Sequence, residues 1–250
     1  MAYATDCSLV FLMKPFIPDT NTDARMTALE QFLQRYLGPR LPEFGEPENE
    51  LQSTVMPDPL RRFFRFAGRW PGHNPRTPYA NRFCMQDTLG GIRKKEYAPE
   101  LQLMDNLLVF VWENQGVWVA ATEQTGADPP VWISENCSHR DAVKEWRQLE
   151  TPLSHFLVSF VLQEVMFGSE ILAVAPGALE KFERAGLPVE PVWNRGEYAW
   201  DIDRPSYFLA DEHFLVRRAP NEADGDDWYG CNTSTGGELL TSLGLPKQIP

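Results

Sequence analysis

Sulfur, histidine and positive charge are all scarce in this chain. Its four cysteines, Cys7, Cys84, Cys137 and Cys231, are scattered over 250 residues. None forms a C-x-x-C pair and none has a histidine at zinc-ligand spacing, which argues against a zinc site or a dithiol redox centre. They read as reduced, partly buried thiols of a cytoplasmic protein. Lysine and arginine number 23 against 35 aspartates and glutamates, so the net charge is −12. Backbone phosphates demand a basic footprint, so no direct nucleic-acid binding is expected. Long apolar runs are missing too. The N-terminus has no basic n-region, and Leu9 to Met13 falls far short of the ~20 residues that a membrane helix needs. No membrane contact and a cytoplasmic location are the expectation.

Catalytic signatures are equally sparse. There is no G-x-S-x-G elbow, Walker loop or G-x-G-x-x-G, and Gly90-Gly91 and Gly236-Gly237 read as turns. Of the four histidines, His155 falls in an apolar helical stretch and reads as a core or boundary residue. His73 and His139 fall in loops. Asp211-Glu212-His213 is charged but lacks the H-x-x-x-H spacing that puts two ligands on one helix face. The expectation is a protein that is not an enzyme, with no catalytic residues, metal or cofactor. A hydrolase assembled from distant residues, with His73, His139 and His213 as its support, is the remote alternative.

What is present is a chain that is 43% hydrophobic, enough for one substantial core. Met26, Leu29, Phe32, Leu33 and Tyr36 repeat at helical spacing, with Thr22 or Asp23 as N-cap and Gly38-Pro39 as stop. The Pro- and Glu-rich stretch to Val55 reads as loop. Asp58 and Pro59 open a second helix with the apolar stripe Leu60, Phe63, Phe64 and Ala67, and Gly68 suits a left-handed cap. Arg61, Arg62, Arg65 and Arg69 lie between those positions and read as a solvated face. Phe83 to Thr88 suggests a short strand. Leu107 to Trp112 and Val117 to Ala121 read as a hairpin of central strands about Glu113-Asn114-Gln115-Gly116. Val131 to Ile133, after two prolines, suits a strand start or an edge.

After Thr151-Pro152 comes a helix apolar around most of its circumference, ending at Gly168, which must be buried on two sides. A strand at Ile171 to Val174 and a helix from Gly177 to Ala185 follow. Short β-like runs then suggest an antiparallel meander: Val189 to Trp193, Tyr198 to Ile202, Tyr207 to Leu209, Phe214 to Arg217 and Trp228 to Cys231. Glu238 to Leu243 suits a final helical turn. A single α+β domain over 1–250 is the simplest reading, with 169–250 as its strand-rich C-terminal part.

Two places invite a partner. The polar tip Glu113, Asn114 and Gln115 beside Trp112 and Trp118 either caps strand-end backbone groups or contacts another protein, with tryptophan as anchor. Glu222, Asp224, Asp226 and Asp227 form the densest acidic stretch. It is either merely solvated or the patch that meets a basic partner.

Three elements occur in order: Met56-Pro57-Asp58-Pro59-Leu60-Arg61-Arg62-Phe63-Phe64 with Gly68, then Leu108-Val109-Phe110 leading to Trp112-Glu113-Asn114-Gln115-Gly116-Val117, then Asp128-Pro129-Pro130-Val131-Trp132 before a helix rich in Leu and Phe. Together they resemble the SUKH superfamily, which includes a fungal cell-wall-synthesis regulator and bacterial immunity proteins encoded beside polymorphic toxins. The resemblance covers Leu29 to Gly168 best and the part from Ile171 onwards loosely. It implies an α+β fold with a mixed, mainly antiparallel sheet flanked by helices, and action by binding. The expected function is that of an immunity protein that neutralises a basic, nuclease-like toxin domain. A regulatory or scaffold protein with a housekeeping partner is the alternative. The sequence leaves the oligomeric state open.

Overall fold

The computed structural model describes residues 14–71, 82–84, 87–92, 100–113, 115–135, 145–194, 205–218 and 225–248. Helix α1 (Thr22–Leu37) is capped by Asn21, whose side chain accepts the Ala24 N–H. Its apolar stripe is buried as the spacing demands, and Gly38 at φ +94° ends it. The stretch expected to be loop contains the short helix α2 (Glu48–Ser53). Buried Leu51 holds it, and Arg61 donates to the carbonyls of Leu51, Thr54 and Met56. Helix α3 (Asp58–Ala67) begins one residue earlier than expected, with Pro57 at the cap. Gly68 is right-handed, φ −57°, not left-handed. Glycine is required there for space: a Cβ would stand 2.7 Å from Cγ of Glu46.

The first sheet contains β1 (Asp87–Leu89), β2 (Gln102–Met104), β3 (Leu107–Glu113), β4 (Trp118–Thr122), β5 (Pro130–Glu135) and β6 (Arg147–Pro152). Its order is β1-β3-β4-β5-β6, and β2 pairs with the other half of the β3 edge that β1 occupies. The β3–β4 hairpin is the expected one. Asp105 and Asn106, at φ +51° and +67°, make the tight β2–β3 turn that short polar residues tolerate. Strand β5 lies inside the sheet, not at an edge, with Pro130 at its start where the missing N–H is harmless.

Helix α4 (Leu153–Phe167) is buried at every residue from Leu153 to Met166. It packs on α1 and α3, on β5 and β6 of the first sheet, and on β10 and β11 of a second. That second sheet is the strand-rich C-terminal part. It comprises β7 (Ile171–Pro176), β8 (Val189–Trp193), β9 (Ser206–Ala210), β10 (Phe214–Arg218) and β11 (Asp226–Cys231), in the order β7-β11-β10-β9-β8. Helices α5 (Ala178–Arg184) and α6 (Ser234–Ser242) complete it. The chain is α+β, and every ladder between described strands is antiparallel. The strand expected at Tyr198 to Ile202 lies outside the described residues.

One large core joins α1, α3, α4 and the inner face of the first sheet to Trp193, Tyr207, Leu209 and Leu215 of the second. A separate cluster around Phe182, Phe214 and Tyr229 fills the opposite face of the second sheet beneath α5 and α6. A small third cluster, Val109, Val119 and Ala121, lies on the outer face of the first sheet. Trp146 packs there and its indole N–H donates to Asp105 at 3.0 Å.

Candidate functional site

The hairpin tip resolves one of the two partner-facing candidates into parts. One carboxylate oxygen of Glu113 accepts the N–H groups of Gln115 and Val117, at 2.8 and 2.9 Å. Glu113 thus shapes the turn, helped by Gly116 at φ +73°. Gln115 and Val117 are exposed, and Glu135 is exposed opposite Trp118 in the β4–β5 register. Glu135 joins this end of the sheet through strand register, a signal that a lone strand pattern does not carry. Asn114 lies outside the described residues. Trp118 is 2% exposed and belongs to the main core, so the expectation of Trp118 as an anchor for a partner is corrected, while Trp112 is partly buried against the outer-face cluster. The Trp118 side chain points to the inner face of the sheet, where alternation along β4 places it.

The acidic stretch is corrected in the same way. Glu222 and Asp224 lie outside the described residues, but Asp226 and Asp227 begin strand β11. Asp226 is half-buried and Asp227 fully buried. The β10–β11 register sets Asp227 opposite Arg218, which grips both carboxylate oxygens at 2.6 and 2.7 Å. Asp227 also accepts the Leu179 N–H at 2.9 Å and so caps α5, whose own N-cap, Gly177, has no side chain to do so. Arg218 reaches Glu180 as well, at 2.8 Å. Burial opposes the Arg218 charge, but the hydrogen bonds it donates to Asp227 and Glu180 outweigh that and raise its pKa.

His155 is the described histidine set deepest in polar company. It is 7% exposed, its Nε2 lies 2.8 Å from Asp19, and its ring meets Trp193 edge-on. The Trp193 indole donates to Ser159 Oγ at 3.1 Å, and the Ser159 hydroxyl donates to the backbone carbonyl of His155. Buried Arg25 stands between Asp19 and Asp128 and donates to Ser154. Burial lowers its pKa, and the two carboxylates offset part of that. Asp128 accepts the Ser154 N–H at 2.8 Å and the Ser154 and Thr22 hydroxyls at 2.6 Å each. Because Pro152 offers α4 no capping side chain, Asp128 caps it from a distant loop. This network ties the segment before α1, α1, α4 and β8 together, which is structural work.

His213 pairs through Nδ1 with Thr233 Oγ1 at 3.3 Å, while that oxygen caps α6. Among the described residues, no group of three or more His, Cys, Asp or Glu is arranged to hold a metal ion, and no helix is long and apolar enough to cross a membrane. His73 and His139 lie outside the described residues.

The α3 arginines are not a merely solvated face. Arg62 forks onto Glu30 at 2.7 and 2.9 Å, Arg65 onto Glu48 at 3.0 and 3.2 Å, and Arg69 pairs with Glu46 and Glu50. An open groove of about 730 Å³ runs between the starts of α1 and α3, edged by Asp23, Asp58 and Arg62. Its arginines are already spoken for by carboxylates and carbonyls, so it makes a poor anion site. No family model matches the sequence, and neither the curated proteins nor the solved structures yield a match to it.

Proposed function

We propose that this chain is a non-catalytic protein-binding protein, an immunity-type protein that neutralises a basic toxin domain by covering its active or substrate-binding surface. The observation that carries this reading is how the positive charge is spent. Arg25, Arg35, Arg62, Arg65, Arg69 and Arg218 each pair with carboxylates inside the molecule. With a net charge of −12, carboxylates outnumber basic groups, and Glu123, Glu135, Glu145 and Glu150 are exposed at the surface. Such a surface steers a basic partner and repels nucleic acid. The hairpin tip, with exposed Gln115 and Val117 beside Glu135, is the contact favoured here, because it offers exposed surface with a carboxylate that attracts a basic partner.

The test is capture of partners by the tagged protein from its native cytoplasm at low and high salt. A basic protein encoded nearby, toxic without this chain and released at high salt, is the expected result. The reading fails if no neighbouring product binds or is toxic alone. The second sheet, with its own core cluster, gives weight to the alternative of a regulator or scaffold with a housekeeping partner. That reading requires a phenotype on gene loss in cells that carry no toxin.

A further inference from the structure

Arg82 differs from the paired arginines. It is 1% exposed, and its side chain makes one hydrogen bond, from Nη2 to Asn232 Oδ1 at 2.8 Å. Its Nε and Nη1 have no partner, and neither does Asn232 Nδ2. Asn232 Oδ1 also accepts the Glu170 N–H at 3.3 Å, so two donors fix which way the amide points. The unsatisfied atoms share one guanidinium and one carboxamide already in contact, and all of them are donors. Among the described residues Arg82 has no carboxylate within ion-pair distance. Exposed Glu170 and buried Tyr36 act on it through space, offsetting part of the burial that lowers its pKa.

The surroundings are built. The Tyr36 hydroxyl, from the last turn of α1, donates to the Gly230 carbonyl of β11 at 2.9 Å and lies 3.2 Å from Ser169 Oγ. Thr233, the residue after Asn232, caps α6, so the positive end of that helix lies one residue away. The ends of α1 and α4 do not supply the missing acceptors. The Gln34, Glu164 and Met166 carbonyls accept from Gly38, Gly168 and Ser169, and Arg82 Nε and Nη1 find no oxygen at either end. A guanidinium keeps its charge inside a protein and calls for oxygen acceptors in fork geometry.

We propose that Arg82 and Asn232 form a binding site for an oxyanion, a carboxylate or a phosphate group, where α1, α4 and β11 meet. Three donor groups without an acceptor select an anion over a cation or a neutral amide. The site is separate from the hairpin tip and does not depend on the partner proposed above.

The test is thermal unfolding of the full chain titrated with inorganic phosphate and, separately, with acetate, against chloride at equal ionic strength. A saturable rise in Tm with phosphate, acetate or both is expected, and which anion acts tells the phosphate source from the carboxylate source. Asn232→Ala, which keeps the guanidinium, is expected to weaken the apparent affinity about tenfold, as loss of one charge-assisted hydrogen bond does. Arg82→Met is expected to abolish the saturable response. A wild-type Tm that responds to neither anion beyond the chloride control overturns the proposal, and so does an undiminished response in Asn232→Ala. Should Arg82→Met not fold, the Asn232→Ala titration decides alone.

Discussion

Asp227 was expected at the surface, either solvated or facing a partner, and instead sits inside the protein, so its replacement separates a structural role from a binding one. Asp227→Ala removes the acceptor for the Leu179 N–H and both contacts to Arg218. A lost helix cap costs about 1 kcal/mol. Removing one member of a fully buried ion pair costs about 3–5 kcal/mol. That figure must be discounted here, because the Arg218 side chain is 26% exposed and keeps Glu180. About 2 kcal/mol remains for the pair, and about 3 kcal/mol in total. Asp227→Asn keeps an oxygen for the cap and loses the charge, so about 2 kcal/mol is expected. At about 2–4 °C per kcal/mol for a chain of this size, Tm should fall by about 6–12 °C for alanine and about 4–8 °C for asparagine. Calorimetry of the purified variants gives both numbers. If Asp227→Ala unfolds within about 1 °C of the wild type, the capping and ion-pair account of β11 is wrong.

Phe156, wholly buried on α4 and edge-on to Phe110, should cost about 3–5 kcal/mol on truncation to alanine, read as a lower urea midpoint. Glu135→Lys at the hairpin end should weaken capture of a basic partner, measured by titration at low salt. Gly68→Ala should lose about 1–3 kcal/mol, because a methyl there collides with Glu46 and Phe64, and chemical unfolding checks it. Burial raises the pKa of the Tyr36 hydroxyl, so the folded state holds that proton more tightly than the unfolded one. Its contribution to stability is complete below pH about 10 and is lost as pH rises further. Tyr36→Phe should remove up to about 1.4 kcal/mol per pH unit from the alkaline slope of unfolding free energy, seen in melts from pH 9 to 11.

Elements with strong periodicity were legible in the sequence. The stripe of α1, the all-round apolar α4 and the hairpin about Gly116 each announce themselves in consecutive residues. Strands β2 and β6 do not, since Gln102–Met104 is short and Arg147–Pro152 is largely polar, and both are made by their neighbours' hydrogen bonds. The fate of Asp227 and Trp118 was hidden for a related reason. Which face a side chain takes depends on register, and Asp227 meets Arg218 only because β10 and β11 align as they do. The Arg82–Asn232 contact joins residues 150 positions apart, and no local pattern marks either.

Helix α4 sits between two sheets whose strands come from opposite sides of it in the chain, and that arrangement has a consequence during synthesis. When Gly168 leaves the ribosome, the first sheet and α1 can already cover one side of the helix. The other side waits for β10 and β11, which end at Cys231, a further 63 residues on. At roughly 5–20 residues per second, α4 presents an uncovered apolar flank for about 3–13 s. For that interval the nascent chain is a natural client for any factor that shields hydrophobic helices, and a halt between α4 and β10 should be the point at which it aggregates.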